Sequence, residues 1–257
     1  MEIWIVIPAR YQSSRFPGKP LAVLTGRDGS KTLVQRTWET GTAVPGVARV
    51  MVATDDNRIA DHVRGFGGEV VMTSDACRNG TERVAEAVAR LDGHPDLVIN
   101  LQGDAPLTPA WFLEDLIAAM AARPDMGAAT PVLQCDRETY AMFREDRAAG
   151  RVGGTTAVFG TDRRALYFSK EVIPYLPDPE VEAPPVWHHV GIYAYRPEAL
   201  AEYVAWPPGV LEMNEGLEQL RFLENGAAML CVEVDARGRQ FWELNNPVDV
   251  ARIESVL

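Results

Sequence analysis

An α/β fold with a mainly parallel central sheet is predicted by two features of the 257-residue chain. Apolar strand-like runs alternate with helical patterns through the first half, and the first of those runs is continuous rather than alternating. It holds Ile3, Trp4, Ile5, Val6 and Ile7, the composition of a strand buried on both faces. Pro8 is expected to end it. The loop that follows carries Arg10, Arg15 and Lys19, spaced by Ala9, Ser13 and Ser14 and by the Pro17-Gly18 pair. Arginine forks, a movable lysine charge and backbone N–H groups exposed by small residues together suit an anion. The carboxyl end of a first parallel strand is also where open α/β sheets hold ligands. A phosphate-binding loop is therefore predicted.

Further strands are expected at residues 48–53, 69–72, 97–101 and 128–133, with helices between them at 33–42, 57–66, 81–91 and 109–122. Thr81-Glu82-Arg83 opens one helix after Gly80, and Thr108 is the expected N-cap of another that begins at Pro109. The second half is less regular. Short strands at 155–159 and 165–169 precede a proline-rich loop at 173–185 and the run HHVGIYAYR. A helix over 211–224, a strand over 229–234 and a terminal helix after Asn246-Pro247 complete the chain. One domain spanning 1–257 is expected, with roughly 136–210 as a substrate-facing or dimerisation subdomain inside it.

Charge and cysteine usage narrow the function. Lys and Arg number 25 against 36 Asp and Glu, a net charge of −11 that opposes general binding to nucleic acid or an anionic membrane. Any phosphate must sit in a local basic pocket. Cys77, Cys135 and Cys231 are widely spaced, with no CxxC or CxxH neighbour, which argues against a disulfide framework or structural zinc. A soluble, unexported, cytoplasmic protein is expected, since no segment has the length of a membrane span and the amino terminus lacks a signal pattern. No Ser-His-Asp pattern or redox CxxC is present, and the first strand-helix turn lacks GxGxxG.

Three later segments carry candidate chemistry. LVINLQGDAP places Gln102, Gly103 and Asp104 at the carboxyl edge of a buried strand, and Asp104 is the best metal ligand, or else a turn-forming aspartate. RNGTER puts Gly80 and Thr81 where a backbone group and a hydroxyl reach a base or ribose. LEMNEGLEQLR spaces Glu212, Glu215, Glu218 and Gln219 partly along one helix face, which is either a solvated acidic face or a site.

PARYQSSRFPGKPL, VATDD, NGTER, NLQGD, ALYFSK, HVGIYAYR and LEQLR occur in this order across nearly the whole chain. Together they resemble the CMP-Kdo synthetases, the 3-deoxy-manno-octulosonate cytidylyltransferases. The resemblance implies a Rossmann-like nucleotide-diphospho-sugar transferase fold. It also implies a reaction in which CTP and a 3-deoxy sugar acid give the CMP-sugar and pyrophosphate, with Mg²⁺ as cofactor and commonly a homodimer. Carried over by position, Pro8, Ala9, Arg10, Arg15 and Lys19 would hold the triphosphate, and Gly80, Thr81 and Gln102 the cytidine. Asp104 would bind the metal, with Arg15 and Lys19 stabilising the leaving pyrophosphate. His189, Tyr193, Glu218 and Gln219 would line the sugar-acid pocket, although His189 also fits a core histidine.

Three departures from the family pattern stand out. Asn245 in ELNNPVD occupies the place of a second metal-binding aspartate, where it either coordinates Mg²⁺ or caps the terminal helix. Ala105 replaces a glutamate after Asp104, and Thr156 replaces a lysine expected near the sugar. A different acidic acceptor, such as an amino-substituted ulosonic acid, a sialic-acid-like sugar or a phosphonate, and a nucleotide-binding protein without catalysis are the competing readings.

Overall fold

The computed structural model describes the chain except residues 13–15, 153, 179–180, 240–242 and 245. Its central strand, β1 (Ile3–Ala9), pairs in parallel with β4 (Arg49–Thr54) on one side and β6 (Leu97–Leu101) on the other. Ile3, Ile5 and Ile7 pack on one face and Trp4 and Val6 on the other, all buried, so the strand has no solvent side and its sequence no alternation. β1 runs past the expected stop, because Pro8 still pairs with Ala53. The ladder to β6 ends at Val6, so a residue without an N–H is tolerated there.

β5 (Glu69–Met72) lies outside β4, also in parallel. Past β6 the sheet continues through β11 (Ile192–Tyr195) to β7 (Ala128–Gln134), β11 being antiparallel to both. β10 (Trp187–His189) pairs antiparallel with β7 and with β8 (Thr156–Phe159), and β8 with β9 (Ala165–Ser169). β12 (Met229–Glu233) joins β7 in parallel. Following the pairings, β1, β4, β5, β6, β7, β8 and β12 run one way and β9, β10 and β11 the other, so seven of the ten strands are co-directional. The strands of the 136–210 segment lie in this same sheet.

Helices cover both faces. α1 (Leu33–Thr42), α2 (Asn57–Gly65) and α4 (Ala110–Ala122) contribute Val34, Ile59, Val63, Phe112 and Leu116 to the core beside Ile3, Ile5 and Ile7. α3 (Gly80–Ala89), α6 (Pro197–Ala205) and α8 (Leu220–Glu224) contribute Val84, Leu200, Tyr203, Leu220 and Phe222 beside Trp4 and Val6. Local caps set the starts: Thr32, Asp56 and Asn79 side chains each accept a backbone N–H of the first turn. α4 differs from expectation, since Pro109 is its cap residue and the buried Thr108 hydroxyl has no hydrogen-bond partner among the described residues. The hairpin β2 (Val23–Gly26) and β3 (Gly29–Thr32), and the polar helix α5 (Arg137–Ala148), are additional elements. α9 (Asp249–Glu254) is the terminal helix.

The helix expected over 211–224 is instead two. α7 (Val210–Glu215) stops at Gly216, whose φ of 62° is left-handed, and α8 begins four residues later. Glu212 and Glu215 thus lie on α7 and Glu218 and Gln219 in the turn that leads into α8, rather than along one helix. Glu215 is tied to β9 and the residue after it, accepting from the Ser169 hydroxyl at 2.7 Å and the Lys170 N–H at 2.9 Å. Gly216→Ala forces an L side chain into the left-handed region and is expected to destabilise the fold by about 1–2 kcal/mol. A lowered urea midpoint at unchanged m-value is the expected reading, and an unchanged midpoint would show that the break does not depend on glycine.

Candidate active site

A cavity of about 840 Å³ opens where β1 and β6 release the chain, bounded on its other side by β10, β11 and the α7–α8 turn. Pro8, Ala9, Arg10 and Lys19 line it from the basic loop, Gly80 from the start of α3, and Gln102 and Asp104 from the end of β6. His189, Tyr193, Glu218 and Gln219 form the opposite wall. Eleven of the residues singled out from the sequence thus meet in one place. Thr81 does not: it is buried behind the wall, its hydroxyl paired with the Tyr195 phenol at 2.9 Å. Arg15 and Asn245 lie outside the described residues.

Each wall has a physical construction. The loop is closed at its base by the Gly18 N–H donating to the Tyr11 carbonyl at 2.9 Å, in a left-handed turn that glycine allows. The Arg58 guanidinium stacks on the Tyr11 ring and is itself held by Asp56. Lys19 then points at the β6 exit, its ammonium 3.2 Å from the Asp104 carboxylate. Gly80 matters for a different reason, since a Cβ there would displace the Gln102 amide from its present position. That amide donates to Glu218 at 2.7 Å, and the Thr81 N–H donates to the other Glu218 oxygen at 2.8 Å. Desolvation pushes the Glu218 carboxyl above the usual range, against the Thr81 N–H that favours its charged form.

The His189 side of the wall is uncharged. Burial, with His188 beside it, pushes the His189 imidazole down to about 3, so the ring is neutral near pH 7. Burial likewise raises the Tyr193 phenol well above its ordinary value, and its hydroxyl donates to Gln219 Oε1 at 3.1 Å. His189 Nε2 and Gln219 Nε2 are both buried with no hydrogen-bond partner among the described residues. Buried polar atoms of native proteins are nearly always paired, so two orphans in one cavity wall mark a place for polar ligand atoms.

Residues 4–233 match the family described as Cytidylyltransferase. A 3-deoxy-manno-octulosonate cytidylyltransferase of Maricaulis maris is 48% identical over 257 residues, covering 100% of this chain and 97% of the relative. The chain belongs to this family. A plant relative, the mitochondrial 3-deoxy-manno-octulosonate cytidylyltransferase of Arabidopsis thaliana, is 38% identical over 98% of this chain and 82% of its own length. Among solved structures, CMP:2-keto-3-deoxy-manno-octonic acid synthetase complexed with CTP superposes with a TM-score of 0.84 at 34% identity, covering 99% of this chain and 98% of that one. The 4-diphosphocytidyl-2C-methyl-D-erythritol synthase of Anaerococcus prevotii shares the fold, with a TM-score of 0.61 at 13% identity.

Two features of this 3-deoxy-manno-octulosonate cytidylyltransferase family member lie outside the sequence expectations. Thr156, taken from the sequence as a sugar-side position, is buried on β8 with its hydroxyl donating to the Glu171 carbonyl at 2.6 Å. The residue that faces the cavity is its neighbour Thr155, as strand alternation requires. Arg78, Asn79 and Arg221 also border the cavity, as does Glu212, for which the sequence left a site and a solvated face open. Arg78 and Asn79 immediately precede Gly80 and Thr81, and Arg221 ends LEQLR, so motif adjacency was the available signal.

Among the described residues no group of three or more His, Cys, Asp or Glu side chains forms a cation cage. Asp104 nevertheless offers a hard carboxylate at the cavity, next to the loop that the sequence assigns to phosphate. Such a donor set fits Mg²⁺, which takes one or two protein carboxylates and completes its shell with water and substrate phosphate.

The neutral His189 has a measurable consequence. Its value in the folded protein, about 3, lies below its ordinary 6.5, so the unfolded chain takes up the proton first. The stability it contributes is present above pH 6.5 and is lost as pH falls from there toward 3, at about 1.4 kcal/mol per pH unit. Between pH 7 and pH 5 the wild-type protein should lose about 2 kcal/mol more, by urea unfolding, than His189→Gln. Equal losses in the two proteins would mean that the imidazole is protonated in the fold.

Proposed function

We propose that the protein transfers the cytidylyl group of CTP to 3-deoxy-manno-octulosonate, giving CMP-Kdo and pyrophosphate. Full-length similarity to 3-deoxy-manno-octulosonate cytidylyltransferases supports the reaction, and one observation ties it to this chain. Lys19 and Asp104 meet at 3.2 Å where the basic loop reaches the end of β6, a cation and a carboxylate at one point of the cavity, which supports a triphosphate and its metal held there with the acceptor on the His189 side.

In this reading Arg10, Arg15 and Lys19 hold the triphosphate, and Gly80 and Gln102 hold the nucleoside. Thr81 supports them from behind, through its contacts to Glu218 and Tyr195. His189, Tyr193, Glu218 and Gln219 orient the sugar acid so that its hydroxyl faces the α-phosphorus. Attack forms the new P–O bond as the bond to pyrophosphate breaks, and the chain contributes alignment and charge rather than a covalent intermediate. Lys19 stabilises the charge that develops on the leaving pyrophosphate. Asp104, with Asn245 as a second oxygen donor, would hold Mg²⁺, which supplies charge neutralisation and polarises the α-phosphate when bound.

The 136–210 segment, with the exposed Val152, Leu166 and Tyr175, supports a homodimer, and light scattering at twice the 28.3 kDa chain mass would test it. Three free cysteines support a cytoplasmic protein, and no helix among the described residues is long and apolar enough to cross a membrane.

Pyrophosphate release with CTP, Mg²⁺ and a panel of acid sugars tests the reaction. Turnover with Kdo above amino-substituted, sialic-acid-like and phosphonate acceptors is expected, and a preference for one of the others would reassign the acceptor. Lys19→Ala should lower kcat by about a hundredfold or more, the loss typical of removing one preorganised charge-stabilising group. Near-normal turnover would place Lys19 outside the chemistry. Asp104→Asn should remove most activity and raise the Mg²⁺ concentration needed for what remains, whereas an unchanged Mg²⁺ dependence would exclude Asp104 as the ligand.

A further inference from the structure

We infer that Arg221 is a positioning residue for cytidylyl transfer, tying the turn that leads into α3 on the nucleotide side of the cavity to the α7–α8 pair on the acceptor side. This rests on the reaction assigned above and concerns a group with no exposed surface of its own. The Arg221 Nε and Nη2 fork onto Glu212 at 2.7 and 2.6 Å, while Nη1 reaches Glu82 at 3.1 Å. The guanidinium also lies 4.1 Å from the centre of the Tyr203 ring. One cation thus holds a carboxylate of α3 and a carboxylate of α7.

Both carboxylates carry the contact onward. Glu82 accepts from the Arg78 N–H at 2.8 Å and from its Nε at 3.1 Å. The Asn79 amide donates to the Tyr203 hydroxyl at 2.8 Å and to Glu212 at 3.4 Å, while its carbonyl oxygen caps α3. Arg78 and Asn79, which border the cavity beside Gly80, therefore hang from the two groups that Arg221 grips. At its other end Arg221 follows Glu218 and Gln219 by three and two residues, so the same side chain locates the acceptor wall. Two arginines face two glutamates in this cluster, so its formal charge balances.

Stability alone does not call for such an arrangement. A buried ion pair is often no more stable than apolar groups of the same volume, and its best-attested use is to hold one geometry in preference to others. Arginine suits this position because its planar fork grips one carboxylate with two parallel N–H groups and leaves a third for another, whereas a lysine ammonium can touch two carboxylates but offers no rigid fork to fix their geometry. A displacement of the two walls by a fraction of a bond length would disturb both substrates at once.

The test compares wild type, Arg221→Lys, Glu82→Gln and the double variant, each first shown to be folded by its unfolding transition. Arg221→Lys is expected to raise KM for both CTP and Kdo by about tenfold, because both walls lose their common anchor. Glu82→Gln is expected to weaken CTP binding, read by calorimetry, by about tenfold while leaving the Kdo KM near wild type. In the double variant the Glu82→Gln effect on CTP affinity should largely vanish, because the two residues act through one connection. A merely structural role lowers the melting temperature and the active fraction without moving either KM. Folded variants with both KM values and the CTP affinity within about twofold of wild type, or with fully additive effects, would overturn the inference. A wild-type protein that binds CTP but releases no pyrophosphate with Kdo would overturn the acceptor assignment alone, and the calorimetric comparison would still decide the role of Arg221.

Discussion

The double burial of β1 is the constraint on which the rest of the molecule depends. Because Ile3, Ile5 and Ile7 belong to one apolar layer and Trp4 and Val6 to the other, the strand cannot slip by one residue without exchanging its two faces. Its exit point is fixed with it. Parallel pairing to β6 brings the end of that strand to the same edge of the sheet, so the basic loop and Asp104 arrive together although 85 residues separate Lys19 from Asp104. A strongly acidic chain thereby concentrates cations at one sheet edge, where an anionic ligand is wanted.

The opposite wall follows from an antiparallel insertion. β11 enters between β6 and β7 against the direction of both, and β10 lies along the same neighbour β7, so the HVGIYAYR segment crosses the open end of the parallel half. The left-handed Gly216 then turns the chain so that Glu218 and Gln219 face Gln102 and Tyr193. Glu218 joins the two halves directly, since its partners are the Thr81 N–H and the Gln102 amide.

The parallel half of the fold was legible because its signals are local and redundant. Continuous apolar runs mark its strands and helical patterns the segments between them, while the caps at Thr32, Asp56 and Asn79 emerged only from the structure. The hairpin β2–β3 was not legible, as its strands are four residues each and mostly polar. Nor was α5, which buries only Tyr140 and Phe143 and shows a weak apolar stripe. The break at Gly216 was hidden inside a run of helix formers, where one glycine is compatible with either outcome. In the site, ordered motifs brought eleven residues to one cavity, but adjacency could not say which neighbour faces inward. Thr81 and Thr156 both turned out to point into the fold, because facing is decided by strand and helix geometry rather than by membership of a motif.

The uncharged His189, Tyr193 and Gln219 surface has a consequence for how an acidic sugar is recognised. Groups that stay neutral near pH 7 exert no long-range attraction on a carboxylate, and the overall charge of −11 repels one. With the acceptor on that side, as proposed, affinity would come from short-range matching of hydroxyls to the orphaned His189 and Gln219 nitrogens, with water displaced group by group. In the proposed reaction, capture and discrimination would then be divided between the two ends of one cavity, with negative charge gathered at the basic loop and stereochemistry sorted at the neutral groups.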